Sequence, residues 1–203
     1  MKLGIYGGTF SPVHNAHVRA AECFDKEFSL DKLMIIPAGI PPHKAVSEDD
    51  DPNRRFEMCR LAFSHIPNVE VSDIELRRSG KSYTVMTVRE LCAEGVELYL
   101  LCGTDMMLTF DGWFCFEEIM EKCTLVCIRR ENDDALGKEL ELKISLYREN
   151  YGARIELLDV PSLEMSSTEV RNAIKDGGDV SDMVPESVYN YIKRYDMYKG
   201  TNG

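Results

Sequence analysis

Apolar residues along this chain follow two rhythms that alternate from one end to the other. Short runs at Lys2–Tyr6, Leu33–Pro37, Val69–Ser72, Glu97–Cys102, Thr124–Ile128 and Arg154–Val160 predict strands, Glu97–Cys102 being the clearest buried one. Between them apolar positions recur three and four residues apart, which predicts helices over His14–Phe28, Arg54–Ile66, Thr84–Ala93, Leu136–Glu149, Ser167–Lys175 and Glu186–Tyr195. Gly7-Gly8 closes the first strand, and Pro41-Pro42 forces an extended loop before the acidic stretch Glu48–Asp51, which reads as a solvated surface loop. Phe110–Phe116 is aromatic-rich and follows neither period.

Strands that alternate with helices imply an α/β fold, a doubly wound parallel sheet with helices on both faces. The expected organisation is one domain over residues 1–203, with 163–203 a small helical C-terminal part. Ligands of such sheets lie beyond the carboxyl ends of the strands, so the glycine turn after the first strand is the place to look for chemistry.

Composition narrows the partners. Thirty-five acids against 24 bases give a formal charge of −11, which argues against nucleic acid and leaves room only for an anion held in a local basic pocket. No apolar run is long enough to span a bilayer, and the start lacks a signal-peptide pattern, so no membrane contact and a cytoplasmic location are expected. Seven cysteines, an odd number without a CxxC pair, suit reduced and mostly buried thiols. Neither a zinc site nor an oligomeric state is indicated.

The glycine turn lacks the GxGxxG dinucleotide fingerprint and continues as Thr9, Phe10, Ser11, Pro12, Val13, His14, Asn15, Ala16, His17. His14 and His17 are three apart at a helix start, where free N–H groups and the helix dipole favour an anion and two imidazoles add directional donors. A second cluster, Met165-Ser166-Ser167-Thr168-Glu169-Val170-Arg171, has the Ser166/Glu169 capping-box spacing. With the Ser167 and Thr168 hydroxyls and Arg171 it forms a second anion site. Two anion sites suit a triphosphate gripped while its α-phosphate is attacked.

GGTFSPVHNAH and MSSTEVR resemble the HxGH and ISSTxxR motifs of the nucleotidyltransferase superfamily, a Rossmann-like fold, and PPHK, SYTVMTV and GTDMMLTFDGW make the chain similar to nicotinate mononucleotide adenylyltransferases. The resemblance runs from Met1 to about Tyr198. It implies that His14, His17 and Arg171 are catalytic, that Ser167, Thr168 and Lys44 join them around the ATP phosphates, and that Gly7, Gly8, Thr9 and Phe10 form the floor where the nucleotides meet. It further implies that Gly8, Thr9, Thr84, Gly103, Asp105, Trp113 and Phe114 surround the pyridine nucleotide. By position alone, Lys44 has a lesser reading as a solvated loop residue, Asp105 is equally a helix cap, and one of Arg129 and Arg130 is a surface residue.

The implied activity joins ATP and nicotinate mononucleotide into the dinucleotide with release of pyrophosphate, a step of NAD biosynthesis in which Mg²⁺ accompanies ATP and no metal is held by the protein. A related transferase with another phosphorylated acceptor is the nearest alternative, and Ser82, Tyr83, Thr84 and Trp113 speak against it. A non-catalytic nucleotide sensor is the other, and intact His14, His17 and Arg171 speak against that. Two positions depart from the family pattern, Ser11 for aspartate and Ala16 for glycine.

Overall fold

In the computed structural model, which describes residues 1–41, 50–129, 134–161 and 165–199, β1 (Lys2–Gly8), β2 (Lys32–Pro37), β3 (Val69–Val71), β4 (Glu97–Gly103), β5 (Cys123–Arg129) and β6 (Arg154–Asp159) form one sheet. Their order is β3-β2-β1-β4-β5-β6 and every pair is parallel. The strands alternate between two separate cores, as period-two side chains must. Leu3, Ile5, Leu98, Leu100, Cys102, Cys123, Leu125 and Cys127 face one core, whereas Tyr6, Leu101 and Val126 face the other. Edge strand β6 buries only Ile155 and Leu158, and its exposed Arg154, Glu156 and Asp159 guard the open edge.

Helices α1 (Asn15–Phe28), α2 (Pro52–Phe63), α7 (Ser167–Lys175) and α8 (Glu186–Arg194) cover the face of Tyr6 and Val126 through Val18, Phe24, Met58, Phe63, Val170, Val188 and Ile192. The C-terminal helices thus share the main core with α1 and α2. Helix α2 starts where Asp51 accepts a hydrogen bond from the Asn53 amide at 2.8 Å and Pro52 takes the first helical position, which needs no N–H partner. The other face is covered by α3 (Thr84–Leu91), α4 (Thr104–Leu108), α5 (Phe116–Lys122) and α6 (Asp134–Tyr151).

The expected strands and long helices are present, with shifts of a few residues at their ends. The segment between β4 and β5 is different: it contains α4, a 3₁₀ turn at Phe110–Gly112 and α5, all too short to display a helical period. Burial of Met107, Phe110, Ile119 and Met120 holds them in place. All seven cysteines are free thiols and four are buried, as their scatter implied. Among the described residues, no helix is long and apolar enough to cross a membrane.

Leu125, fully buried on central β5, should cost about 2–5 kcal/mol when changed to Ala, because its cavity cannot collapse between two covered faces. Leu142→Ala on α6, where the side chain is 68% exposed, should stay within about 0.5 kcal/mol. Urea unfolding of both variants checks the pair.

Candidate active site

The sheet parts at its centre. Pairing between β1 and β4 stops at Ile5↔Leu100, whereas β1 continues beside β2 to Gly8↔Pro37. After β1 the chain turns to α1 on one face, and after β4 it turns to α4 on the other, so a crevice opens between the two strand ends.

The turn after β1 fills one side of that crevice. A Cβ at Gly8 would lie 2.9 Å from the Phe10 ring, so only glycine lets that ring fold back over the strand end. Phe10 itself is buried with φ of 52°, a left-handed conformation costing about 1–2 kcal/mol for a residue with a side chain. The carbonyls on either side are both held by guanidiniums. Arg55 Nη1 donates to Thr9 O at 2.8 Å and Arg171 Nη1 donates to Ser11 O at 2.6 Å.

His14 lies just outside α1, with extended backbone at φ −138°, and is its N-cap rather than its first helical residue. Its N–H donates to His17 Nδ1 at 3.2 Å, which leaves the His17 ring proton on Nε2. The two imidazoles stack with centroids 3.6 Å apart, and the Phe10 ring meets His17 edge-on at 5.0 Å. His14 is 5% exposed, its Nδ1 finds no hydrogen-bond partner among the described residues, and burial lowers its pKa from 6.5 to about 4. It is therefore a neutral ring near pH 7, with one nitrogen still to satisfy.

Helix α7 comes to this turn from more than 150 residues away in sequence. Ser166 Oγ accepts from the Glu169 amide at 3.2 Å and donates to the Glu169 carboxylate at 2.9 Å, so the capping spacing does form a cap. Ser167 Oγ donates to Pro12 O at 2.9 Å, and Arg171 Nη2 donates to Thr168 Oγ1 at 3.1 Å. These bonds join the two expected anion sites into one, with the first amides of α7 left without helical partners beside the imidazoles.

The opposite side of the crevice is built from α3, α4 and the segment after it. Ser82 Oγ accepts from the amides of Gly39 at 2.9 Å and Ile40 at 3.3 Å, tying the end of β2 to the start of α3. A Cβ at Gly39 would lie 2.6 Å from the Glu75 carbonyl oxygen, so this approach also requires glycine. Glu75 is buried, which raises its pKa, and it accepts from Thr87 Oγ1 at 2.7 Å. Thr84 opens α3, and its neighbour Tyr83 contacts Phe114 at 4.9 Å between ring centroids, Phe114 being 56% exposed. Trp113 is half-buried and stacks on buried Phe110 at 4.8 Å. Asp105 is exposed one residue into α4, beyond Gly103, and its carboxylate meets no partner among the described residues.

One sequence expectation changes. The acidic stretch is not simply solvated: Asp50 has a side chain 8% exposed and pairs with fully buried Arg55 at 3.1 Å, and Asp51 caps α2. Ser11 donates its hydroxyl to Asp50 Oδ1 at 3.0 Å. Arg129 forks onto Asp159 through two bonds of 2.8 Å across the sheet edge and lies on the surface. Lys44 and Arg130 lie outside the described residues. Sequence reading missed Arg55, Asp50 and Tyr198, whose hydroxyl is 3.5 Å from Ser11 Oγ. An arginine at an otherwise apolar helical position was the one signal for Arg55.

Comparison with known proteins shows the family and the fold. The profile of the cytidylyltransferase-like family matches residues 5–173. A protein of Thermoanaerobacter sp. (strain X514), named nicotinate-nucleotide adenylyltransferase, is 38% identical over 202 residues, covering 98% of this chain and 95% of its own. One of the same name from Clostridium tetani (strain Massachusetts / E88) is 36% identical over 203 residues, covering 98% and 99%. The solved nicotinic acid mononucleotide adenylyltransferase of Plasmodium falciparum, complexed with NaAD, shares the fold with a TM-score of 0.74 at 17% identity over 97% of each chain.

Because the folded pKa of His14 is below its unfolded value, the unfolded state takes up the proton first as pH falls. The stability this ring contributes is complete above about 6.5 and is lost as pH drops toward 4, in total roughly 3 kcal/mol. An NMR titration of the His14 ring should show a midpoint near 4, and a midpoint at or above 6 would mean a solvated ring.

Proposed function

The chain belongs to the cytidylyltransferase-like family and, within it, to the nicotinate-nucleotide adenylyltransferases, and on that premise we propose how its crevice joins ATP to nicotinate mononucleotide. The products are nicotinate adenine dinucleotide, which enters NAD biosynthesis, and pyrophosphate. The observation that carries the residue assignment is the stacked His14–His17 pair, joined through Arg171 and Ser167 to the free amides of α7 at the parting of β1 and β4.

A phosphate oxygen of the mononucleotide attacks the α-phosphorus of ATP in line, and the bond from that phosphorus to the bridging oxygen of pyrophosphate breaks. The attacking phosphate is already ionised near neutral pH, so the protein supplies position and charge stabilisation rather than a strong base. His17, with its proton on Nε2, donates to the α-phosphate as charge builds there. The unsatisfied nitrogen of His14 accepts or donates beside it. Arg171, Ser167, Thr168 and Lys44 take the β- and γ-phosphates. Gly7, Gly8, Thr9 and Phe10 make the floor.

Gly103 and Asp105 face the ribose of the mononucleotide, Asp105 through an unclaimed carboxylate. Thr84, Trp113 and Phe114 take the pyridine ring and its carboxylate. A divalent cation belongs with the triphosphate, and Mg²⁺ fits that role. A cytoplasmic setting, where ATP is at hand, suits the seven free thiols.

Pure protein incubated with ATP, Mg²⁺ and nicotinate mononucleotide should release pyrophosphate and form the dinucleotide. Omitting the cation should abolish turnover, and the amide mononucleotide should react more slowly because a charged carboxylate binds N–H donors more strongly. Equal turnover with the amide would sink the substrate preference. His17→Ala should lower kcat by about 10²–10³ while sparing mononucleotide affinity, since it removes a donor used in the transition state. Near-wild-type turnover in that variant would remove His17 from the reaction.

Trp113 is the single indole of the chain, so its fluorescence reports on the pyridine side directly. With one face already against Phe110, its other face can stack on the ring. Stacking is worth about 1–3 kcal/mol, so Trp113→Ala should weaken the mononucleotide roughly five- to 150-fold and ATP much less. Saturating mononucleotide should quench the wild-type emission; unchanged emission would place the pyridine elsewhere.

A further inference from the structure

Arg55 is the largest of the fully buried side chains and is 0% exposed. A guanidinium taken out of water needs hydrogen-bond acceptors and a counter-charge close by. Here Nη1 donates to Thr9 O at 2.8 Å and Nη2 donates to Gly39 O at 3.2 Å, while Nε pairs with Asp50 Oδ1 at 3.1 Å by charge, without hydrogen-bond geometry. The same Asp50 oxygen accepts from Ser11 Oγ at 3.0 Å, and Tyr198 Oη lies 3.5 Å from that hydroxyl. One cation therefore ties together the turn after β1, the turn after β2, the entry to α2 and the C-terminal segment.

The turn after β1 is where such a tie matters most. Phe10 is left-handed, and the carbonyls before and after it are held by Arg55 and Arg171 respectively. Four residues after Phe10 comes His14, followed by His17, so the position of the imidazoles depends on that strained turn staying shut. The Gly39 carbonyl, held by the other arm of Arg55, belongs to the segment that Ser82 fastens to the start of α3. The arginine thus connects the phosphate side of the crevice with the pyridine side.

We infer that Arg55 and Asp50 are positioning residues for adenylyl transfer: neutralised by Asp50, the Arg55 guanidinium locks the Thr9 and Gly39 carbonyls and thereby sets the distance between the imidazole pair and the pyridine side of the crevice. This rests on the adenylyltransferase reading. Neither side chain touches a nucleotide in it, so their effect falls on kcat, through geometry, rather than on substrate affinity. Lysine cannot replace the arginine, because a single ammonium does not present the fork that reaches two carbonyls and a carboxylate at once. The carboxylate, in contrast, has a choice of origin. Ser11 Oγ is in hydrogen-bond contact with the very oxygen that pairs with Arg55, so a carboxylate grown from position 11 would reach the same guanidinium.

The test moves the charge across that contact. Asp50→Asn should lower kcat by about tenfold to 100-fold with both KM values within about threefold, the size expected of a small misplacement of reacting groups. Ser11→Asp added to Asp50→Asn should restore kcat to within about fivefold of wild type, and Arg55→Lys should lose kcat without rescue. Hydrogen–deuterium exchange in the ligand-free protein gives a reading independent of substrate: amides in 7–13 and 37–41 should exchange faster in Asp50→Asn and return toward wild type in the double variant. If Asp50→Asn does not fold, Ser11→Ala keeps the ion pair and removes only the hydroxyl contact. It should lower kcat about threefold to tenfold with faster exchange in 7–13. Full turnover and unchanged exchange in Asp50→Asn or Ser11→Ala would overturn the inference, as would a double variant no better than Asp50→Asn. A wild-type protein that makes no dinucleotide would instead overturn the adenylyltransferase reading, and the exchange pattern would still decide the positioning role.

Discussion

The parting of β1 from β4 beyond Ile5 is the constraint on which the rest of the molecule depends. Parallel strands need crossovers of the same hand, and a sheet wound outward in both directions from its centre must send successive helices to opposite faces there. The gap is thus a consequence of topology, and Gly7 and Gly8 end β1 beside it. Whatever binds in it is met by the N-terminal ends of α1 and α7 from one side and by α3 and α4 from the other.

Filling that gap with useful groups costs stability, and the surrounding packing offsets the cost. Phe10 is left-handed, His14 is buried with an unsatisfied nitrogen, and Arg55 carries a charge out of water. Each would be unfavourable alone. Together they support one another: Phe10 packs on His17 and on Gly8, Arg55 and Arg171 hold the carbonyls beside Phe10, and α7 is fixed to the same turn by Ser167. The two cores that clamp the sheet supply the stabilisation that keeps this arrangement closed.

The charge distribution follows the same logic. A chain with formal charge −11 repels a triphosphate at long range, so recognition must be local. On the surface, Arg129, Arg89 and Arg78 are engaged by Asp159, Glu118 and Glu90.

Local features were legible in the sequence because their causes are local. Strand-helix alternation follows from period-two and period-3.6 spacing, the cap at Ser166 from a glutamate three residues on, and the His14–His17 proximity from helical geometry alone. The short helices α4 and α5 were not, since a helix of five or seven residues has too few turns to show a period and exists only because Met107 and Ile119 are buried. Asp50 looked like one more solvated acid among its neighbours, and Arg55 carried only the weak signal of a charge at an apolar helical position. What distinguishes them is contact with Thr9, Ser11 and Gly39, whose positions are set by the turns after β1 and β2. The same holds for the docking of α7 on the turn after β1, made by Arg171 and Ser167 on Ser11 and Pro12. Which residues can carry the chemistry is therefore written in short motifs, whereas which of them meet, and what holds them there, is decided only when distant segments pack and a buried charge must find every partner it needs.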